Sequence, residues 1–81
     1  MATAHRHPSK LQWRWRGRWR AGKPARVPGH DWILFVEHVE RGVPYTVLAG
    51  WTGASASFVR ERCIRVSLVL ERLERAAQDA A

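Results

Sequence analysis

Residues 42–73 read GVPYTVLAGWTGASASFVRERCIRVSLVLERL, and the reading of this stretch decides the fold. Ala49, Gly53 four residues on and Val59 six beyond that have the spacing of a helix-turn-helix. The physical reasons are a small side chain where two helices cross closely, a glycine able to take positive φ between them, and an apolar anchor in the second helix. Thr52-Gly53-Ala54-Ser55 places that glycine just past one helix and offers Ser55 as N-cap of the next.

The helix after the turn has a strong period. At about 100° per residue, Val59, Cys63, Val66, Leu70, Leu73 and Ala77 share one stripe flanked by Phe58 and Val69, which predicts a core face. Ser57, Arg60, Glu61 and Ile64 fall on the opposite side near its N-terminus. In a helix-turn-helix that outward face meets the major groove. The helix is expected to run from Ser55 or Ala56 to about Gln78, after a short helix from about Pro44 to Trp51 with its proline in the first turn. A first helix is expected from Asp31, as N-cap, to about Arg41, with Gly42 at its exit. Trp32, Phe35, Val36 and Val39 repeat at helical spacing and are read as core, and His38 as a surface histidine.

Further upstream, residues 21–30, AGKPARVPGH, hold two prolines and two glycines and read as a linker. Residues 11–20, LQWRWRGRWR, alternate strictly, which predicts an extended arm: Leu11, Trp13, Trp15 and Trp19 on one side, Gln12, Arg14, Arg16, Arg18 and Arg20 on the other. The first ten residues have little to bury and read as a mobile polar tail, and His5 and His7 have no further metal ligands placed nearby. The expected architecture is therefore all-α, a three-helix helix-turn-helix domain with a long third helix over residues 30–81. An extended basic Trp/Arg arm and linker precede it over residues 1–29.

Charge is unevenly placed along the 81 residues. The net charge is +7, yet before His30 there are eight Lys and Arg and no acid, whereas after Gly29 six basic residues face seven acids. Attraction for a polyanion is thus expected to reside in the arm. A chain this short has room for one domain, and ~60 residues bury only about 60% of their unfolded surface, so help from a partner, a dimer or the arm is expected. One cysteine rules out an internal disulfide and suits a reducing cytoplasm. No long apolar run is present, so the chain is expected to be cytoplasmic, soluble and free of any membrane. No paired carboxylates, phosphate-cradling glycine loop or zinc spacing is found, and Cys63 falls on the core stripe. Neither an enzyme, a cofactor nor a metal is expected.

Gly42-Val43-Pro44-Tyr45-Thr46-Val47-Leu48-Ala49 resembles the approach to the helix-turn-helix in region four of bacterial sigma factors. Val59, Arg62, Cys63, Val66, Leu70 and Leu73 follow that family's run of Val, Arg, Leu, Ala, Leu and Leu without a gap. Upstream, Val27-Pro28 and Trp32-Ile33-Leu34-Phe35-Val36-Glu37-His38-Val39-Glu40 resemble its proline-led first helix, with Arg41 as one extra residue. The resemblance covers about residues 27–75, and LuxR-type response-regulator domains share the pattern. Gly50 within the second helix, Trp51 beside it and Cys63 in place of leucine depart from it.

Two functions follow as expectations. The first is a DNA-binding transcription regulator: Arg60 and Ser57 reaching base edges, Glu61 accepting from cytosine, and Ser55 with Arg62 or Arg65 holding phosphates of double-stranded DNA. The arm, through Arg14, Arg16, Arg18, Arg20 and Lys23, would contact phosphates over packed tryptophans, or bind a protein, or enter the minor groove, or lie at a membrane surface, or serve only to cover a thin core with its tryptophan face. Arg16-Gly17-Arg18 resembles an AT-hook core, with Trp19 where proline should follow. The second function, implied by the docking role of sigma region four, is a protein-interaction module. It would act as adaptor or decoy on RNA polymerase or another transcription protein, with Trp51, Ile64 and Leu68 as the contact. A homodimer through the long third helix fits either reading.

Overall fold

The computed structural model describes residues 9–19 and 22–80, and these form four α-helices with no strand among them. They are α1 (Lys10–Trp15), α2 (Gly29–Arg41), α3 (Tyr45–Thr52) and α4 (Ala56–Ala80). His5, His7 and Arg20 lie outside the described residues.

Helix α4 is the platform on which the other three pack. Ser55 caps it, its Oγ accepting the Phe58 N–H at 3.1 Å, and Val59, Cys63, Val66 and Leu70 are buried along the expected stripe. The stripe leaves the core at Leu73, which is 52% exposed, and Ala77 is exposed too. The reason is length: α4 has 25 residues and α2, packed beside it, has 13. At 1.5 Å per residue the last turns of α4 outrun their partner. Phe58 is also more exposed than a core flank would be, with the Arg62 guanidinium 5.4 Å over its ring.

Two glycines set the angles between helices. Gly42 has φ 69° and Gly53 φ 73°, the left-handed region where a side chain would cost roughly 1–2 kcal/mol. The Gly42 and Val43 N–H groups donate to the carbonyls of His38 and Glu37 at 3.1 and 3.2 Å. Those of Gly53 and Ala54 both donate to the Ala49 carbonyl at 2.9 and 3.2 Å. Each helix end is thereby closed by hydrogen bonds to carbonyls of its own last turns, and the chain reverses sharply there.

Helix α2 starts earlier than the sequence suggests. Pro28 stands at its N-cap and Asp31 lies within the first turn, because Pro28 already has the fixed φ of −59° that leads into a helix. Asp31, expected to be the cap, instead points inward, 5% exposed. Leu34 joins Phe35 and Val39 in the core, while Trp32 and Val36 are half-buried around it. The preceding segment is not a loose linker: Val27 is buried, and its N–H closes a turn on the Pro24 carbonyl at 3.1 Å.

Residues 10–15 correct the extended-arm expectation, since they are helical. Ser9 and Gln12 form a capping box: the Ser9 N–H donates to Gln12 Oε1 at 2.7 Å and the Gln12 N–H to Ser9 Oγ at 3.3 Å. Leu11 and Trp15 are also four residues apart, and the helix, which ends at Trp15, puts both on its inner face. Trp15 is buried to 1% and its Nε1–H donates to Ser67 Oγ on α4 at 2.8 Å. Trp13, off that face, is 76% exposed.

Candidate nucleic-acid interface

The first turns of α4 bring most of the expected base-contacting residues to the surface. Ser57, Arg60, Glu61 and Arg65 are exposed, while Val59 and Cys63 between them are buried. This follows from the helical period: with one face held by the core, residues 57, 60, 61 and 65 must point away from it. Ser55 is occupied as the cap. Arg62 is not available as expected. Its Nε donates to Asp31 Oδ1 at 3.1 Å, so the half-buried guanidinium neutralises a buried carboxylate on α2.

Around this face, α1 supplies a flank. Ser9, Lys10 and Leu11 share a recess of about 310 Å³ with Tyr45, Arg60 and Ile64. Ile64 is therefore half-covered, whereas Leu68 one turn later remains exposed. Lys10 and Arg60 line one recess, which gathers positive charge beside the N-terminal half of α4.

The arginine row is largely turned toward the protein itself. Arg14 pairs through Nε with Glu71 at 3.2 Å and through Nη2 with Glu74 at 3.2 Å, and Arg18 reaches Glu74 at 3.0 Å. Both guanidiniums also lie near the Trp15 ring, 4.8 and 5.8 Å from its centroid. Lys23 Nζ donates to the Val27 and Pro24 carbonyls at 2.8 and 3.2 Å. Of the arm cations expected to meet phosphate, Arg16 is exposed and without an ion-pair partner among the described residues. Glu71 on α4 thus faces Arg14.

A second exposed surface is apolar. Helix α3, YTVLAGWT, has no charged residue, yet Val47 and Trp51, one turn apart, are exposed, Trp51 to 64%.

The sequence also concealed a buried polar cluster. His38, expected at the surface, is buried and joins three elements. Its Nδ1 lies 2.8 Å from the Val43 carbonyl, its Nε2 2.7 Å from Ser9 Oγ, and its ring stacks on Tyr45 at 4.0 Å. A carbonyl can only accept, so Nδ1 carries the proton and neutral Nε2 accepts from the Ser9 hydroxyl. Burial lowers the His38 pKa, partly opposed by the Val43 hydrogen bond, and raises that of Tyr45. The signal for this cluster was Ser9-Lys10-Leu11-Gln12, a capping-box pattern. Cys63 sits in the core, where burial, with Asp31 nearby, pushes its thiol up to about 12.

Among the described residues, no three His, Cys, Asp or Glu side chains are grouped to hold a metal ion, and no helix is long and apolar enough to cross a membrane. No family model, curated protein or solved structure matches the chain.

Proposed function

We propose that the chain is a DNA-binding transcription regulator without catalytic chemistry of its own, in which α3, the Gly53 turn and α4 form a helix-turn-helix. The N-terminal turns of α4 enter the major groove. Arg60 and Ser57 reach base edges, Glu61 accepts from an amino group such as that of cytosine, and Arg65 lies toward the backbone. The observation that carries this reading is the pairing of a glycine-bent, serine-capped turn with an α4 face that is polar and exposed at Ser57, Arg60, Glu61 and Arg65 while Val59 and Cys63 anchor the helix. The capping hydrogen bond to Ser55 fixes where the recognition helix begins, which is what side-chain readout of bases requires. Arg62 has a structural part here, holding α4 to α2 through Asp31.

Arg60→Ala tests the assignment. It is expected to relax sequence preference at one base position by about 1–3 kcal/mol, leaving binding to random duplex nearly as strong. Equal loss on all sequences would show instead that Arg60 serves only as charge.

A second reading, a module that docks on polymerase or another transcription protein, is favoured by the uncharged outer face of α3 with Trp51 and Val47 exposed. Trp51→Ala distinguishes it, because loss of a protein partner with DNA binding intact belongs to that reading alone.

A further inference from the structure

A groove of about 200 Å³ runs between the turn at residues 24–28, the start of α2 and the middle of α4, and three arginines line it: Arg26, Arg62 and Arg65. One carboxylate, Asp31, lies there too, and it is already paired with Arg62. Arg26 and Arg65 are exposed, and neither has an ion-pair partner among the described residues. Two unpaired guanidiniums from segments far apart in sequence thus meet on one concave surface, with a third whose fork is fixed by Asp31. The space is several times the ~30 Å³ share of one water in the liquid, enough for a tetrahedral oxyanion. Planar forks of N–H donors match the oxygens of phosphate, which can accept from more than one guanidinium at once.

The segment presenting Arg26 is pre-organised. Val27 is buried in the core, its N–H closes the turn on Pro24, and Lys23 Nζ ties the Pro24 and Val27 carbonyls together. Arg26 therefore stands on a turn whose backbone is already fixed, so that only its side chain remains to be ordered when an anion binds.

We infer that this groove is a phosphate clamp, in which Arg26 from the turn and Arg65 from α4 grip one backbone phosphate of the duplex beside Asp31-anchored Arg62. The assignment of the phosphate to DNA rests on the function proposed above, whereas the clamp itself rests only on the three arginines and their setting. It makes residues 24–28 part of the binding surface.

The test uses the full chain, its Arg26→Gln and Arg65→Gln variants, the double variant, and Arg75→Gln as an exposed arginine outside the groove. Both groove arginines are exposed, so folding is expected to be unaffected. Inorganic pyrophosphate should shift the Arg26 and Arg65 Nε–H resonances in nuclear magnetic resonance spectra of the parent chain. With random-sequence duplex, each single variant should reduce the slope of log affinity against log salt by about one unit, the double by no more than either, and Arg75→Gln should leave it unchanged. If pyrophosphate shifts both resonances while duplex fails to bind, the phosphate clamp stands and the DNA reading falls. If duplex binds with a steep slope that neither variant changes, and pyrophosphate shifts neither resonance, the clamp is overturned and the DNA reading survives.

Discussion

His38 and Cys63 show how burial sets the chemistry of single residues in this small core. His38 bridges the carbonyl that follows α2 and the cap of α1, and desolvation lowers its pKa below the ordinary value of 6.5. The unfolded chain then binds a proton at a higher pH than the folded chain does. The stability this group contributes is therefore fully present above pH 6.5 and is lost as pH falls from there toward the lowered folded value. Urea midpoints measured between about pH 8 and pH 5 should fall for the parent chain and fall less for His38→Gln. Equal slopes would remove His38 as the cause. The Cys63 thiol, pushed up to about 12, is neither ionised nor reachable near pH 8. Its reaction with a disulfide reagent at that pH is expected only as denaturant opens the fold, and rapid labelling of the native chain would contradict its burial. Sequence spacing placed Cys63 correctly because the α4 stripe has a single consistent period. It missed His38 because the partners that bury it, Ser9 and Tyr45, come from elements whose packing no local pattern encodes.

Among the elements, α1 departs furthest from expectation and explains how so short a chain fills its core. Trp15 and Val27, both upstream of α2, are buried with the residues of α2, α3 and α4. The alternation of tryptophan and arginine suits a strand, while Leu11 and Trp15 are spaced for a helix, and the Ser9–Gln12 capping box favours the helix that forms. Hydrogen bonds of Gly17 and Trp19 to Glu40, at 2.6 and 2.5 Å, then hold the exit of α1 against α2. Docking of α1 should depend on the tryptophan far more than on its salt bridges. Trp15→Ala is expected to cost about 3–5 kcal/mol, and Ser67→Ala about 1–3 kcal/mol because it leaves the indole N–H buried without a partner. Arg14→Ala should cost under ~1 kcal/mol, since its pairs with Glu71 and Glu74 are more than a third exposed on the arginine side. Chemical denaturation of the three variants checks this order, and a larger loss from Arg14→Ala than from Trp15→Ala would invert it. By contrast α3, its turn and the start of α4 were legible to within a residue, Pro44 being the N-cap of α3 and not part of its first turn, because each depends on local chemistry at fixed offsets: Pro44, Gly53 and Ser55.

For the whole molecule, the charge map is the feature that composition alone misrepresented. The N-terminal excess of arginine suggested a free polycation, but Arg14 and Arg18 meet glutamates of α4, and Lys23 is tied to backbone carbonyls. Arg60 and Arg65 are exposed on the first half of α4, and Arg26 on the turn beside it. Electrostatic attraction for a polyanion is thus expected from α4 and its neighbouring turn as much as from the N-terminal segment, and Arg14→Ala should leave the salt dependence of DNA binding almost unchanged. That redistribution was hidden in the sequence because ion pairing between residues 14 and 74 depends on α1 docking as a helix, where an extended arm was expected.

The exposed face at the start of α4 is proposed to read DNA sequence, and selection of bound sites from a random duplex pool at near-physiological salt tests this most directly. An enriched motif is expected, and it should lose definition at one position when Arg60 is replaced by alanine; two-fold symmetry in the motif would add a homodimer and give its half-site spacing. A pool that binds with a steep salt dependence but yields no enriched motif would contradict sequence reading, leaving α4 a basic surface and turning attention to a protein partner for Trp51.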